Sequence, residues 1–271
     1  MTSPATTPDN ESSSDTSVPL IELRGVGKSY GNIVALQGID LRVGAGEVTC
    51  VLGDNGAGKS TLIKIMAGLH RQSEGQLLVD GEPATFDSPK DALNKGIATV
   101  YQDLAVVSLM PVWRNFFLGQ ELRRGTILKS LDIEAMRATT IGELRKIGID
   151  LPDVDAPIGT LSGGQRQCVA IARAMFFGAR VLILDEPTAA LGVKQSGMVL
   201  RYISAAKEEG FGVVLITHNP HHAFLVGDHF VLLNRGRQTL DRAYGDITLD
   251  DLTTEMAGGQ DLATLTHELG R

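Results

Sequence analysis

The sequence predicts an α/β fold with a parallel core sheet, an N-terminal antiparallel β layer and a helical insertion. First, a strand, a glycine loop and a helix follow one another over residues 47–69. Second, segments 181–184 and 213–216 are near-continuous apolar runs, which are typical of parallel strands covered on both faces. Third, residues 104–160 change to a helical pattern between these parts.

The individual elements follow from apolar periodicity and from the residues that punctuate it. Strands are predicted at 20–23, 39–43, 47–52, 77–79, 97–100, 181–184 and 213–216. Helices are predicted at 59–69 with a break at Gly68, from a cap at Asp132 to a stop at Gly148, at 168–175 and at 194–209. The first two strands alternate in polarity and are bounded by glycine turns, so they form the antiparallel layer.

Charge and composition divide the chain into three parts. Residues 1–18 are polar and carry three acidic residues with no Lys or Arg, which predicts a disordered acidic tail. Residues 241–271 form an acidic extension with seven acidic residues against two arginines. The net charge of −7 therefore comes from the ends, and the predicted domain at 19–240, with its helical subdomain at about 104–175, is nearly neutral. Because this domain has no basic stripe, we expect no nucleic-acid partner.

The hydropathy pattern shows neither a membrane-spanning segment nor a signal peptide. No apolar run approaches the 18 residues needed to cross a bilayer, and the N-terminus lacks the features of a signal peptide. We therefore expect a chain that is neither exported nor integral to a membrane. Cys50 and Cys168 both lie in apolar stretches, where a thiol acts as a small hydrophobic group.

The glycine loop carries the clearest chemical signal. Residues 53–61 fit the phosphate-loop pattern G-x-x-x-x-G-K-[ST], between a strand and a helix as the mechanism requires. Glycines let successive backbone N–H groups converge on phosphate oxygens, Lys59 reaches the outer phosphates, and the Ser60 hydroxyl joins Mg²⁺. The predicted nucleotide-binding residues are Gly53, Asn55, Gly56, Ala57, Gly58, Lys59, Ser60 and Thr61.

A second motif ends the strand at 181–184 with two carboxylates. In a parallel sheet the carboxyl ends of the strands form the ligand crevice, so Asp185 is expected to face a metal and Glu186 an attacking water. The alternative is an acidic pair that ends a strand in solvent.

A third motif opens a helix with Ser162, Gly163, Gly164 and Gln165, whose hydroxyl and N–H groups are suited to an anion. Taken alone, it is equally an ordinary serine-capped helix start.

In their order along the chain, these motifs resemble the ATP-binding cassette family, the ATPase subunits of ABC transporters, over about residues 20–240. Tyr30 stands at the family's adenine-stacking aromatic, Gln102 at its Q-loop and His218 at its switch histidine. The remaining matches are 53–61 with Walker A, 161–165 with the signature, and 181–186 with Walker B and the catalytic glutamate.

The resemblance implies a phosphate-loop NTPase fold and a head-to-tail dimer with ATP between the phosphate loop of one cassette and the signature of the other. It implies catalytic roles for Glu186, His218 and Gln102, and Mg²⁺ contacts from Ser60, Gln102 and Asp185. The further nucleotide contacts implied are Tyr30, Ser162, Gly163, Gly164 and Gln165.

Several of these positions also have a purely structural interpretation. Tyr30 is also suited to plugging the β layer, and Trp113, where family members meet the membrane partner, is equally suited to a core. His221 and His222 follow His218 closely and are expected on the next helix. Where the family usually carries Asp after 185–191, this chain has Gly192, which weakens the expectation of coupling between two ATP sites.

Four stretches narrow the resemblance to single-cassette ATPases of ribose- and fructose-type monosaccharide importers. They are 53–56, 118–121, 189–192 and 217–221. This subgroup implies transmembrane permease subunits, an external solute-binding protein, a second cassette and a place at the cytoplasmic face of the membrane. The alternatives are a soluble cassette ATPase acting on DNA or ribosomes, an exporter subunit, or an importer subunit for another solute.

Overall fold

The computed structural model describes residues 18–125, 130–146 and 148–257. The strands are β1 (Ile21–Tyr30), β2 (Ile33–Val43), β3 (Val48–Leu52), β4 (Glu74–Val79), β5 (Glu82–Pro83), β6 (Ile97–Val100), β7 (Arg123–Arg124), β8 (Ser130–Leu131), β9 (Val181–Asp185), β10 (Gly212–Thr217), β11 (His229–Asn234) and β12 (Arg237–Ala243). The helices are α1 (Lys59–Met66), α2 (Pro89–Asn94), α3 (Val112–Phe116), α4 (Ile133–Lys146), α5 (Gly163–Phe176), α6 (Val193–Glu208), α7 (Pro220–Val226) and α8 (Leu249–Met256).

One large sheet organises the described residues, in the order β5-β4-β1-β2-β12-β11-β3-β10-β9-β6. β3, β9, β10, β11 and β6 form its parallel part, whereas β1 pairs antiparallel with β2 and β4. A single pairing of Arg237 with Gln37 joins β12 to β2 and so connects the two parts. The predicted α/β class, with a parallel core and an antiparallel N-terminal layer, is confirmed.

The core lies on both faces of the parallel strands. Side chains alternate along β10, so that Val213 and Leu215 join one apolar cluster while Val214 and Ile216 join the other. One cluster packs beneath α1, and the other contains the buried faces of α5, α6 and the insertion. Because both faces are covered, every residue of β10 is apolar, glycine or a buried threonine.

The first two strands run further than the alternation predicted. β1 continues to Tyr30 and β2 begins at Ile33, with register shifts along their pairing. Gly25 and Gly38 interrupt the alternation with positive φ angles of 57° and 63°. Such irregular positions interrupt the alternation of polar and apolar residues, so the sequence pattern predicts that the strand ends there. The backbone pairing nevertheless continues past them.

The insertion between β6 and β9 is helical, with α3, α4 and α5 packed together. α4 spans the stretch predicted from Asp132, and its expected last apolar position, Ile147, lies outside the described residues. Trp113 is buried, and its indole N–H donates to Asp155 Oδ1 at 2.9 Å. The plainer expectation for Trp113, packing in a core, therefore describes its position.

The structure describes only part of the two predicted terminal segments. Residues 1–17 of the expected N-terminal tail and residues 258–271 of the acidic extension lie outside the described residues. Within the extension, β12 crosses residue 240, and α8 buries Leu252 completely. Across the described ranges, no helix has the length and apolar character to span a bilayer.

Both cysteines are free and buried in the same apolar cluster, as expected. Burial raises the pKa of the Cys168 thiol to about 12, and burial followed by the charge of Asp228 raises the pKa of Cys50. Neither thiol is ionised near neutral pH.

Candidate nucleotide site

The glycine loop connects β3 to α1, as predicted, and two of its glycines are sterically required. Gly53 has φ 143°, and a Cβ there would lie 2.3 Å from the carbonyl oxygen of Leu233. Gly58 has φ 109°, and a Cβ would lie 2.6 Å from Leu36 Cδ2. The loop therefore lies directly against neighbouring strands, and only glycine gives this backbone the space and the φ angle it needs.

A cavity of about 490 Å³ opens at this loop and at the carboxyl ends of the parallel strands. It brings together residues that are far apart in the sequence. Its lining consists of Ile33, Val34, Ala35, Asp54, Asn55, Gly56, Gly58, Lys59, Ser60, Thr61, Gln102, Asp185, Glu186, Arg235 and Gly236. The phosphate loop, the Q-loop glutamine and the two carboxylates of the second motif thus share one cavity.

Lys59 lies at the floor of this cavity and is only 8% exposed. Its ammonium donates to the carbonyl oxygens of Gly53 at 2.5 Å and Asp54 at 3.0 Å. These bonds satisfy a charge that would otherwise be costly to bury. They also hold the ammonium at the loop, within the cavity where phosphate oxygens are expected.

Asp185 and Glu186 lie where β9 ends. Burial, and then the negative charge of Glu186, raise the pKa of Asp185, while Lys59 opposes the shift. Glu186 adopts φ 47°, an unusual angle for a residue with a side chain, and its N–H donates to Ile216 O at 2.9 Å. The sharp turn after the strand places the two adjacent carboxylates on the same cavity.

His218 contacts Glu186 through a hydrogen bond of 2.9 Å between Nδ1 and Oε1. The other carboxylate oxygen, Oε2, is buried and has no hydrogen-bond partner within the described residues. His222 instead pairs with Thr188 Oγ1 at 2.9 Å, and burial, then His221 and His218, lower its pKa. Of the three neighbouring histidines, His218 is therefore the one that contacts the candidate catalytic carboxylate.

The aromatic candidate, Tyr30, is not among the residues that line the cavity. Its ring is 41% exposed, packs edge-on against His70 at 5.6 Å between ring centroids, and lies below Lys28 Nζ at 5.1 Å. An exposed ring at the cavity's end of the β layer remains open to a stacking partner.

The signature residues Ser162, Gly163, Gly164 and Gln165 also lie outside the cavity lining. Ser162 caps α5: its Oγ accepts from Gln165 N at 3.3 Å, and Gln165 Oε1 accepts from Ser162 N at 3.0 Å. This capping box fits the plainer reading of the motif. At this helix start Gly164 is buried and the other three residues are half-buried. Gly163 lines a separate cavity of about 520 Å³ that also includes Gln102 and Glu186.

Gly53 and Ala57 line a second, adjoining cavity of about 250 Å³ behind the loop, together with the end of α8.

Sequence reasoning missed one side of the nucleotide cavity. Ile33, Val34 and Ala35 come from the start of β2, and Arg235 and Gly236 come from the turn between β11 and β12. Gly236 donates from its backbone N to Ala57 O at 2.9 Å, and a Cβ on it would lie 2.5 Å from Ala35 O. No motif marks these residues, because they meet the loop only through pairing between distant strands.

The cavity's polar groups fit a divalent cation. The side chains of Ser60, Gln102 and Asp185 all line it and all carry oxygen atoms, the ligands that Mg²⁺ prefers. A cation beside Asp185 would also offset the repulsion from Glu186 that raises the pKa of Asp185.

Comparison with known proteins agrees with this geometry. Residues 36–189 match the family model described as ABC transporter. The chain is 40% identical to the xylose/arabinose import ATP-binding protein XylG of Sulfolobus acidocaldarius, over 88% of this chain and 93% of that protein. It is 41% identical to the fructose import ATP-binding protein FrcA of Rhizobium meliloti, over 90% and 95% of the two chains.

Other relatives are longer than this chain. It is 40% identical to the ribose import ATP-binding protein RbsA 1 of Rubrobacter xylanophilus over 89% of this chain, but spans only 47% of that relative.

Solved structures share the fold. A nucleotide-free ATP-binding cassette from an ABC transporter superposes with a TM-score of 0.75 at 23% identity, covering 87% of this chain and 95% of that one. A dimeric cassette in a post-hydrolysis state, bound to ADP and Pi, gives a TM-score of 0.69 at 26% identity, covering 83% and 98%. The family model covers more than half of the chain, and the relatives extend the match over most of it, so the protein belongs to the ABC transporter family as one of its ATP-binding cassettes.

Proposed function

We propose that this protein is the ATP-hydrolysing subunit of an importer for a monosaccharide and acts with separate permease subunits at the cytoplasmic face of a membrane. The observation that carries the hydrolytic part is the position of Glu186 on the phosphate-loop cavity, with its carboxylate hydrogen-bonded to His218. A sugar substrate is supported by the relatives XylG and FrcA, which are named for import of xylose/arabinose and of fructose and match this chain nearly end to end.

In this proposal each cavity residue has a defined task. The loop's backbone N–H groups and Lys59 bind the triphosphate, and Lys59 exchanges bonds to loop carbonyls for bonds to phosphate oxygens. Glu186 accepts a hydrogen bond from the attacking water and orients it toward the terminal phosphate. His218 holds the Glu186 carboxylate through a hydrogen bond to Oε1.

Ser60, Gln102 and Asp185 would hold Mg²⁺ in the same cavity. When bound, this cation supplies charge neutralisation at the phosphate oxygens. The chain's own contribution is positioning and electrostatics: fixed donors at the loop, an oriented carboxylate and a partly buried cavity.

The signature residues enter through a second copy. Ser162 and Gly164 lie outside the cassette's own phosphate cavity, so a head-to-tail partner is needed to bring them to ATP. Tyr30, exposed at the end of β1, is assigned to stacking against the adenine ring. The dimeric arrangement of a similar cassette supports this assembly.

Purification from membranes tests the transport proposal. A tagged chain isolated from detergent-solubilised membranes of its host is expected to bring down a permease of several transmembrane segments. In reconstituted vesicles, that complex should hydrolyse ATP faster when a sugar and its binding protein are present. Recovery with ribosomes or DNA instead of a permease would overturn the proposal in favour of the soluble alternative, and outward transport would point to an exporter.

A further inference from the structure

Arg235 occupies the turn between β11 and β12 and is held against the phosphate loop. It has φ 48°, and the next residue, Gly236, donates to Ala57 O at 2.9 Å and accepts from Gln37 N at 2.8 Å. These backbone bonds tie the turn to the loop on one side and to β2 on the other. The position of Arg235 beside the loop is therefore fixed by the fold and does not depend on a mobile surface segment.

The side chain of Arg235 lines both cavities at the loop. Asp54, Asn55 and Gly56 likewise line both the nucleotide cavity and the second cavity of about 250 Å³. Within residues 18–125, 130–146 and 148–257, its guanidinium forms no ion pair and no hydrogen bond, unlike Arg180, which makes two bonds to Asp80. A cation of this kind beside a phosphate loop has capacity for a further anion.

The second cavity is lined by an acidic residue as well as by this arginine. The last turn of α8 contributes Glu255 and Met256 to its lining, and Glu255 is exposed. Leu252, one turn earlier, is fully buried and anchors the helix. Glu255 and Arg235 therefore line the same cavity, which also contains residues 53–57 of the loop.

We propose that Arg235 is a nucleotide-binding residue that contacts the phosphates of ATP, and that the negative charge of Glu255, on the second cavity that Arg235 also lines, opposes this contact. This inference rests on the proposed function, since it requires ATP on the phosphate loop. Attraction between the Glu255 carboxylate and the Arg235 guanidinium draws the guanidinium away from the phosphate oxygens. The C-terminal helix thereby lowers the affinity of the site for ATP.

Phosphate is the expected contact because of what surrounds Arg235. The other residues that line both cavities belong to the phosphate loop. Backbone donors of such a loop bind phosphate oxygens. A planar guanidinium with several N–H donors is suited to such oxygens. Its contribution should therefore grow with the number of phosphates on the nucleotide.

The test measures equilibrium binding of AMP, ADP and ATP to the full chain in Mg²⁺-free buffer, which prevents hydrolysis. Arg235→Gln should weaken ATP binding about five- to tenfold, as for a charge-assisted hydrogen bond at a partly exposed site, with a smaller loss for ADP and the smallest for AMP. Arg237→Gln is the matched control, since Arg237 is an exposed arginine of the same hairpin that lines neither cavity. It should leave all three affinities unchanged.

Substitution of Glu255 tests the role of the acidic residue. Glu255→Gln should strengthen ATP binding about two- to threefold, the scale of an exposed charge pair, and this gain should vanish when Arg235→Gln is also present. Asp250→Asn removes a charge from the first turn of the same helix and serves as its control. A gain that survives in the double variant would overturn the attraction between Glu255 and Arg235 and leave only general repulsion by Glu255.

The remaining outcomes separate this inference from the proposed function. Equal losses for AMP, ADP and ATP in Arg235→Gln, or no loss, would overturn the phosphate contact. Lys59→Ala is measured in parallel: if it weakens ATP binding while Arg235→Gln does not, the inference fails and the phosphate-loop assignment stands. If Lys59→Ala also has no effect, the proposed nucleotide site itself fails.

Discussion

His218 Nδ1 lies 2.9 Å from Glu186 Oε1, although the two residues are 32 positions apart in the sequence. The contact follows from strand order: β9 and β10 are parallel neighbours, with Asp185 paired to Ile216. The residue after β9 and the residue after β10 therefore emerge at the same edge of the sheet. A histidine held there fixes one oxygen of the candidate catalytic carboxylate.

Glu186→Gln should reduce ATP hydrolysis about 10²- to 10⁴-fold, because the amide keeps the size of the side chain but lacks the basic oxygen. ATP binding should survive, since the triphosphate is bound by the loop and Lys59. Phosphate release and equilibrium binding measure the two effects. Glu208→Gln, at the exposed end of α6, is the control and should retain wild-type activity. Normal turnover in Glu186→Gln would move the catalytic role to another residue.

The same substitution should reveal the dimer. Without hydrolysis the ATP sandwich persists, so Glu186→Gln is expected to shift from monomer to dimer on a sizing column when ATP is added. Adding Ser162→Phe should abolish the shift, because the bulky ring blocks the partner's nucleotide. Ser162→Ala removes the hydroxyl that caps α5 without adding bulk, and separates a weakened helix from a blocked interface. Dimerisation that persists with Ser162→Phe would contradict the assignment of the signature.

The functional residues of the site could be predicted from the sequence where they form contiguous motifs. The phosphate loop requires its glycines, its lysine and its serine in one stretch, and the carboxylates and His218 directly follow buried strands, so local patterns located them. The two carboxylates and most of the loop line one cavity. His218 is joined to it only through its bond to Glu186, and the signature and Tyr30 lie outside its lining.

Arg235 could not be found in this way. Its place at the loop depends on β12 pairing with β2 through Arg237 and Gln37, a contact between residues 200 positions apart. β11 and β12 were not predicted, although β11 is buried and apolar at four of its six positions. Without this hairpin, an Arg-Gly turn carries no chemical signal, because its meaning comes entirely from the neighbours that the sheet supplies.

Asp185→Asn should stabilise the nucleotide-free protein at neutral pH. Burial and the charge of Glu186 raise the folded-state pKa of Asp185 above the ordinary value of 3.8. The folded protein therefore holds this proton more tightly than the unfolded chain, and stability falls as pH rises from 3.8 through the raised pKa. An amide removes that penalty, so thermal unfolding should occur at a higher temperature than in the wild type at pH 7.5, with the difference shrinking toward pH 4.

Asp80→Asn gives the opposite sign and controls for the loss of any carboxylate. Hydrogen bonds from Arg180 lower the pKa of Asp80, so its contribution to stability is present at neutral pH and is lost as the pH falls through the lowered pKa. Since both side chains are about half exposed, the expected loss at pH 7.5 is below about 1 kcal/mol. A lower unfolding temperature for Asp185→Asn at neutral pH would contradict the account of its raised pKa.

Gly192→Asp should also stabilise the protein, at the position where family resemblance leads one to expect an aspartate. Gly192 is the N-cap of α6, with extended backbone at φ −69° and ψ 161°, and no side chain caps the helix there. A Cβ at this residue would meet no heavy atom within 4 Å, and the φ angle suits any residue. The site is therefore ready for a capping carboxylate.

The expected gain combines a hydrogen bond to an unpaired N–H of the first turn with a favourable charge at the helix N-terminus, about 0.5–1 kcal/mol in all. For a chain of this size that raises the unfolding temperature by about 1–3 °C in a thermal scan at neutral pH. Gly192→Asn supplies the cap without the charge and should give part of the gain, whereas Gly192→Ala should give none. If Gly192→Asp unfolds at a lower temperature than the wild type, an acidic group at this turn is unfavourable within a single cassette, and the capping argument is wrong.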